Sequence, residues 1–198
     1  MLISNNKIIK IIGYDESSMT QEYKEFILSE STVPVEIITP DIFFTTTPKK
    51  DFQYIVGFSL DMELREKVCY ELDKNNLDCC SFIHNSCYIS PLAIIDKGVF
   101  IAPFSTVLQN ARVGKHCCIA TYCLISHYTS IKSNCILHSG AMIAGKSSLG
   151  KNSTMNFKSS ILNNIHVTDN ITLAAYSNLT KSVSKSGRYI GTVAKQFS

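Results

Sequence analysis

No run of about 18 consecutive apolar residues occurs in the 198-residue chain, so the sequence predicts no membrane-spanning helix. The opening stretch MLISNNKIIKIIGYDE has a short apolar segment that runs into acids and shows no small-residue cleavage pattern; it predicts no secretory leader and a cytoplasmic location. None of the eight cysteines (69, 79, 80, 87, 117, 118, 123, 135) forms a CxxC pair, which points to buried free thiols rather than a disulfide framework, and to no metal site. The net charge is only +3 and the lysines and arginines are dispersed, leaving no basic stripe of the kind nucleic acid requires. What is there, 45% apolar and 18% charged residues, describes a globular chain long enough for one large domain or two small ones.

Its strongest pattern is a period of six. Ile83, Ile89, Ile95, Ile101, Val107 and Val113 begin a series that continues through Ile119, Ile125, Ile131, Leu137, Ile143, Leu149, Met155, Ile161, Val167 and Leu173 to Leu179 without a miss. A helix advances about 100° per residue and scatters a six-step around its axis, so a helix is excluded. In an extended chain six is an even step and keeps all these side chains on one side. The residue four positions after each anchor is nearly always small, as at Ala93, Ser105, Ala111, Cys117, Cys123, Cys135, Ala141 and Ser153. A large inward residue alternating with a small one suits a narrow coil that turns a corner every six residues, a hexapeptide-repeat parallel β-helix.

Residues 1–80 follow a different pattern. KIIKIIG (7–13), PVEIIT (34–39) and DFQYIVGF (51–58) read as buried strands; SSMTQEYKEFILSE (17–30) and DMELREKVCYELDKNN (61–76) read as amphipathic helices, with Leu64, Val68 and Leu72 on one face of the second. Short strands alternating with helices predict a small Rossmann-like α/β domain over 1–80, followed by the β-helix domain over 81–198. After Leu179 the repeat stops, and the basic ending TKSVSKSGRYIGTVAKQFS is expected to fold back along the last coil and cap it.

Over FIHNSCYISPLAIIDKGVFIAPFSTV, LISHYTSI, GAMIAGKSSLG and the ending YIGTVAK, the chain resembles the left-handed β-helix hexapeptide acyltransferases. The likeness is to their sugar acetyltransferase branch, which holds UDP-4-amino-sugar N-acetyltransferases and sialic-acid O-acetyltransferases. It extends over essentially the whole chain. It implies three hexapeptides per left-handed coil, a homotrimer, and acetyl-CoA as co-substrate in the groove between neighbouring β-helices.

The resemblance places His127 on the catalytic histidine, the base that takes the acceptor's proton as it attacks the thioester. Imidazole suits that task because it exchanges protons near neutral pH. Tyr128 stands where the family carries an acid, and is assigned to the acceptor side. Ile136 aligns with a second family histidine that seats acetyl-CoA, and His138 two residues later is expected to replace it. Gly140, Ala144, Gly145, Ala174, Ala175 and Gly191 correspond to the small residues that let the pantetheine arm lie close, and Lys181, Lys185, Arg188 and Lys195 either meet its phosphates or are simply solvated. The family's glycine-rich nucleotide loop is replaced by IIGYDESS, with one glycine and two acids, which leaves Gly13, Tyr14, Gly57, Phe58 and Ser59 as acceptor-side candidates. The implied function is acetyl-CoA-dependent acetylation of an amino or hydroxyl group on a sugar or nucleotide-sugar in surface-glycan biosynthesis. The alternatives are O-acetylation of a non-nucleotide glycan and a catalytically weak β-helix protein used for binding or assembly.

Overall fold

The computed structural model describes residues 7–47 and 50–191. Three short strands, β1 (Ile9–Ile12), β2 (Val35–Ile38) and β3 (Gln53–Val56), form a parallel sheet in the order β2-β1-β3. Helix α1 (Ser18–Glu30) connects the first two, and α3 (Met62–Lys74) follows the third. A six-residue helix, α2 (Pro40–Thr45), has no counterpart in the sequence reading; it is too short for an apolar period and is built from its ends, with Thr39 capping the N–H of Ile42 and Pro40 in the first turn. The sheet is covered on both sides, which explains its nearly continuous apolar strands. Ile9, Ile11 and Ile55 pack with Tyr23 and Ile27 of α1, while Ile12, Tyr54 and Val56 pack with Phe43 of α2 and with Val68 and Leu72 of α3.

From Phe82 onward the chain winds as a left-handed parallel β-helix with three faces. The first face stacks the two-residue strands at 82, 100, 118, 136 and 154, the second those at 88, 106, 124, 142, 160 and 178, and the third those at 94, 112, 130, 148 and 166. Anchors from Ile101 to Leu173 are buried and form one core. Ile83, Ile89 and Ile95 are only half-buried, because the first coil has a neighbour on one side alone. At the small positions, side chains do more than fit. Ser105 Oγ donates to Ala120 O and accepts from Cys123 N, and Ser147 repeats the pattern with Leu162 O and Ile165 N. Cys117 takes the same place, its thiol donating to Lys132 O and accepting from Cys135 N. These bonds satisfy buried corner backbone that the two-residue strands leave over.

Each corner places one residue in the left-handed region, every sixth position from Gly98 to Tyr176. At the corner between the third and first faces these are Gly98, His116, Asn134, Asn152 and Asn170, mostly residues that adopt it at low cost.

The tail departs from its expected course. Val183 bridges Val167 and the strand Gly187–Tyr189 pairs in parallel with Ile171–Leu173, so the chain continues the winding instead of folding back. That coil pairs residue 187 with residue 171, where earlier coils pair residues eighteen apart. The shortened coil breaks the six-residue register, which is why the repeat vanishes after Leu179 although the β-helix goes on. Lys181, Lys185 and Arg188 are exposed, and Lys195 lies outside the described residues.

The α/β module docks on the first face, whose outward residues Phe82, Phe100, Cys118 and Ile136 are buried against Tyr23 and its neighbours. Alongside, α3 follows the corner between the third and first faces. The guanidinium of Arg65, 1% exposed, donates to the carbonyls of Val56 (3.0 Å), Phe58 (2.6 Å) and His116 (2.8 Å). Asp73 meets Lys97 and Lys115, each at 3.2 Å, and approaches the His116 ring at 3.5 Å.

Candidate active site

His127 occupies the corner between the second and third faces, between the strands Leu124–Ile125 and Ser130–Ile131. Its ring reaches the next coil at Gly145, where an added methyl carbon would stand 2.4 Å from Cε1, 2.7 Å from Nε2 and 2.9 Å from Nδ1 of His127. Gly145 is therefore glycine to admit the imidazole. The Nδ1 atom is buried without a hydrogen-bond partner, and no carboxylate pairs with the ring among the described residues. Tyr128, at φ +58° and half exposed, turns its ring edge-on to the imidazole with centroids 5.7 Å apart. The N–H of Gly145 donates to no acceptor among the described residues, as is also true of the equivalent corner residues Thr121 and Ser139. Ala144 is on the same corner.

His138 stands on a different corner, between the first and second faces. It contacts Phe157 with ring centroids 5.1 Å apart, and burial lowers its pKa, favouring the neutral ring. It lines a cavity of about 330 Å³ between α1 and the first face, together with Tyr23, Phe100, Cys118, Ser139 and Ser59. Gly140, Ala175, Lys158, Tyr122 and Tyr176 line an adjoining shelf of about 470 Å³ on the same corner. Ala174 is next to it in sequence, and Gly191 is exposed at the end of the last coil.

The sequence-predicted residues thus fall into three groups. His127, Tyr128, Ala144 and Gly145 share one corner; His138, Gly140, Ala174 and Ala175 share another; Gly13, Tyr14, Gly57, Phe58 and Ser59 lie at the carboxyl ends of β1 and β3. Only Ser59 of the last group reaches the cavity. The cavity wall itself, Tyr23, Phe26, Phe100 and Phe157, was not anticipated. A signal for it exists: the residues just before every third anchor, Phe82, Phe100, Cys118 and Ile136, are apolar although they point outward, whereas Thr154 and Thr172 further along the same face are polar. An eighteen-residue apolar period outside the coil marks the face the α/β module covers.

No protein-family model matches the chain. By architecture it is a hexapeptide-type left-handed β-helix carrying an N-terminal α/β module. It is similar to a mutant of perosamine N-acetyltransferase from Caulobacter crescentus in complex with CoA and GDP-perosamine, with a TM-score of 0.80 at 15% identity over 95% of each chain. It is also similar to the acetyltransferase domain of PglB from Neisseria gonorrhoeae in complex with acetyl coenzyme A (TM-score 0.61, 16% identity, 88% of this chain and 93% of that one). WeeI from Acinetobacter baumannii matches with a TM-score of 0.58 at 15% identity over 88% of this chain and 94% of its own. At such identities the likeness establishes the fold.

Proposed function

We propose that the chain is an acetyl-CoA-dependent acetyltransferase acting on an amino or hydroxyl group of a sugar or nucleotide-sugar in surface-glycan biosynthesis. The observation that carries the reading is the pairing of His127 with Gly145: an imidazole held on a coil corner against a residue whose backbone N–H is open. These are the two groups acyl transfer needs, a base for the attacking atom and a donor for the oxygen that gains charge. Acetyl-CoA supplies an activated acetyl group as a thioester. The solved relatives crystallised with CoA or acetyl-CoA support that choice, as do the small residues Gly140 and Ala175 on a shelf flanked by Lys158. We assign acceptor binding to residues 1–80 and acyl-CoA binding to 81–198, with the protein working in the cytoplasm.

The two histidine corners flank the second face, so one copy cannot close a single site around both. What supports a homotrimer is the apolar surface between them: Tyr88 and Met142 on that face, and Phe104, Tyr122 and Tyr128 on its flanking corners, are each 49% to 63% exposed. Packing copies through this face sets one copy's His127 corner against a neighbour's His138 corner. Light scattering should give a trimer; a stable monomer at micromolar concentration contradicts the composite site.

Tyr128 in place of an acid, with Nδ1 of His127 unpartnered, favours a second reading of weak catalysis and a binding role. Thiol release from acetyl-CoA, measured with a panel of amino sugars with and without nucleotide, separates the two. Turnover with any of them supports the enzyme, and absence of turnover with all supports the binding protein.

A further inference from the structure

Along the edge where the first face meets the second, Ala102, Ala120 and His138 stand on successive coils, eighteen residues apart. All three line the cavity of about 330 Å³. The alanines leave the space that larger side chains would fill, and His138 bounds it on the side of the later coils with Phe157, the two rings tilted by 33°. The α/β module supplies the remaining wall, with Ser18, Met19 and Glu22 of α1 and with Ser59 and Leu60 after β3. Arg65 fixes that last loop through its bond to Phe58 O.

The half-buried His138 ring is the polar group this space leaves unmatched. Among the described residues nothing hydrogen-bonds either ring nitrogen, and burial alone lowers the pKa, so the neutral ring keeps one N–H to give and one lone pair to receive. Such a pair calls for a polar ligand or water. Its place in the fold says which ligand. The shelf formed by Gly140, Ala175 and Lys158 adjoins at Phe157, which lines both spaces, whereas His138 lines only the cavity that the α/β module covers. Ile136, where the resemblance sets an acetyl-CoA histidine, is itself buried with Tyr23 and Phe100 under that module.

We infer that His138 binds the acceptor rather than acetyl-CoA: its imidazole hydrogen-bonds a ring hydroxyl of the acceptor sugar, whose C–H face lies on Phe157. The inference rests on the acetyltransferase reading above and names one contact of its acceptor. Because the contact is to the sugar ring, it serves a free aminohexose and a nucleoside diphosphate ester alike.

Calorimetry on the full chain compares the parent protein with His138→Phe, which keeps a ring against Phe157 without its polar atoms, and with His138→Gln, which returns a donor and an acceptor. His138→Ala repeats the first substitution without adding bulk, and thermal unfolding accompanies each variant. The probes are the methyl glycoside of an aminohexose, its nucleoside diphosphate ester, the nucleoside diphosphate alone, and CoA. Whichever sugar probe binds the parent tighter should bind His138→Phe and His138→Ala about 5-fold more weakly, the size of one lost hydrogen bond, with part of the loss recovered in His138→Gln. CoA and the nucleoside diphosphate should bind every variant within about 2-fold of the parent. Sugar affinity unchanged in both His138→Phe and His138→Ala, a loss of CoA affinity in its place, or a parent protein that binds neither sugar probe overturns the inference. Thiol release from acetyl-CoA keeps the two readings apart. Release by the parent, with sugar affinity indifferent to residue 138, removes this inference and keeps the acetyltransferase; sugar binding that depends on His138 without any release keeps the contact and removes the acetyltransferase.

Discussion

Gly145→Ala is the substitution that most narrowly tests how His127 is held. The three atoms nearest the added methyl all belong to the His127 ring, at 2.4, 2.7 and 2.9 Å, and none is backbone. Ordinary contact begins near 3.4 Å, so the ring has to move by about 1 Å or swing off the corner. No left-handed φ is involved at Gly145, so alanine itself brings no backbone strain there. A displacement of that size costs about 10²-fold in turnover when it misplaces a reacting group. The assay is steady-state thiol release from acetyl-CoA with a cognate acceptor, run with thermal unfolding of each variant. In a His127→Ala background the same methyl meets empty space, and the second substitution should add almost nothing to either loss. This non-additivity is the signature of one contact. Gly150→Ala is the contrast, because its methyl would lie 2.3 Å from the backbone carbon of Thr168 and cannot be relieved by a side chain; that variant should lose stability in any background. If Gly145→Ala retains turnover within about 3-fold, or adds its full loss to His127→Ala, the imidazole does not act from the position described.

Two further outcomes concern stability. Ile119→Ala removes a fully buried anchor and should destabilise by about 2–5 kcal/mol in denaturant unfolding, whereas a loss under about 0.5 kcal/mol would contradict its inward position. His116 is buried beside Arg65, Lys97, Lys115 and Asp73, and burial lowers its pKa from 6.5 to about 4. The unfolded chain therefore binds the extra proton first, so stability should be full above pH 6.5 and fall by about 3 kcal/mol as pH drops toward 4. His116→Asn, matching the asparagines of the same corner, should flatten that part of the pH profile.

The period of six was enough to give the β-helix, because each anchor repeats the same local demand: one apolar side chain inward, one small residue four positions on. It failed where the demand changed. The last coil is shorter, so Val183 and Tyr189 pack against the core off the register. α2 rests on Thr39 and Pro40 rather than on periodicity. At the proposed site, the motif pointed to His127, but Gly145 was readable only as a small residue; that it makes room for the ring requires knowing that residue 145 lies one coil above residue 127. The docking surface was written in a longer period, at Phe82, Phe100, Cys118 and Ile136, and three faces must be assigned before that period means anything. Arg65 was hidden for a related reason, since the carbonyls it binds, from Val56 to His116, are brought together only by the docked module.

The central claim is that His127 takes the acceptor's proton. Its most direct test is the turnover of His127→Ala with a cognate acceptor, measured beside acetyl-CoA affinity and unfolding. Turnover should fall by about 10²- to 10⁴-fold, the range for loss of a general base, with affinity and fold nearly intact. A variant that keeps most of its turnover contradicts the account and puts the base elsewhere, with His138 in the cavity the next residue to replace.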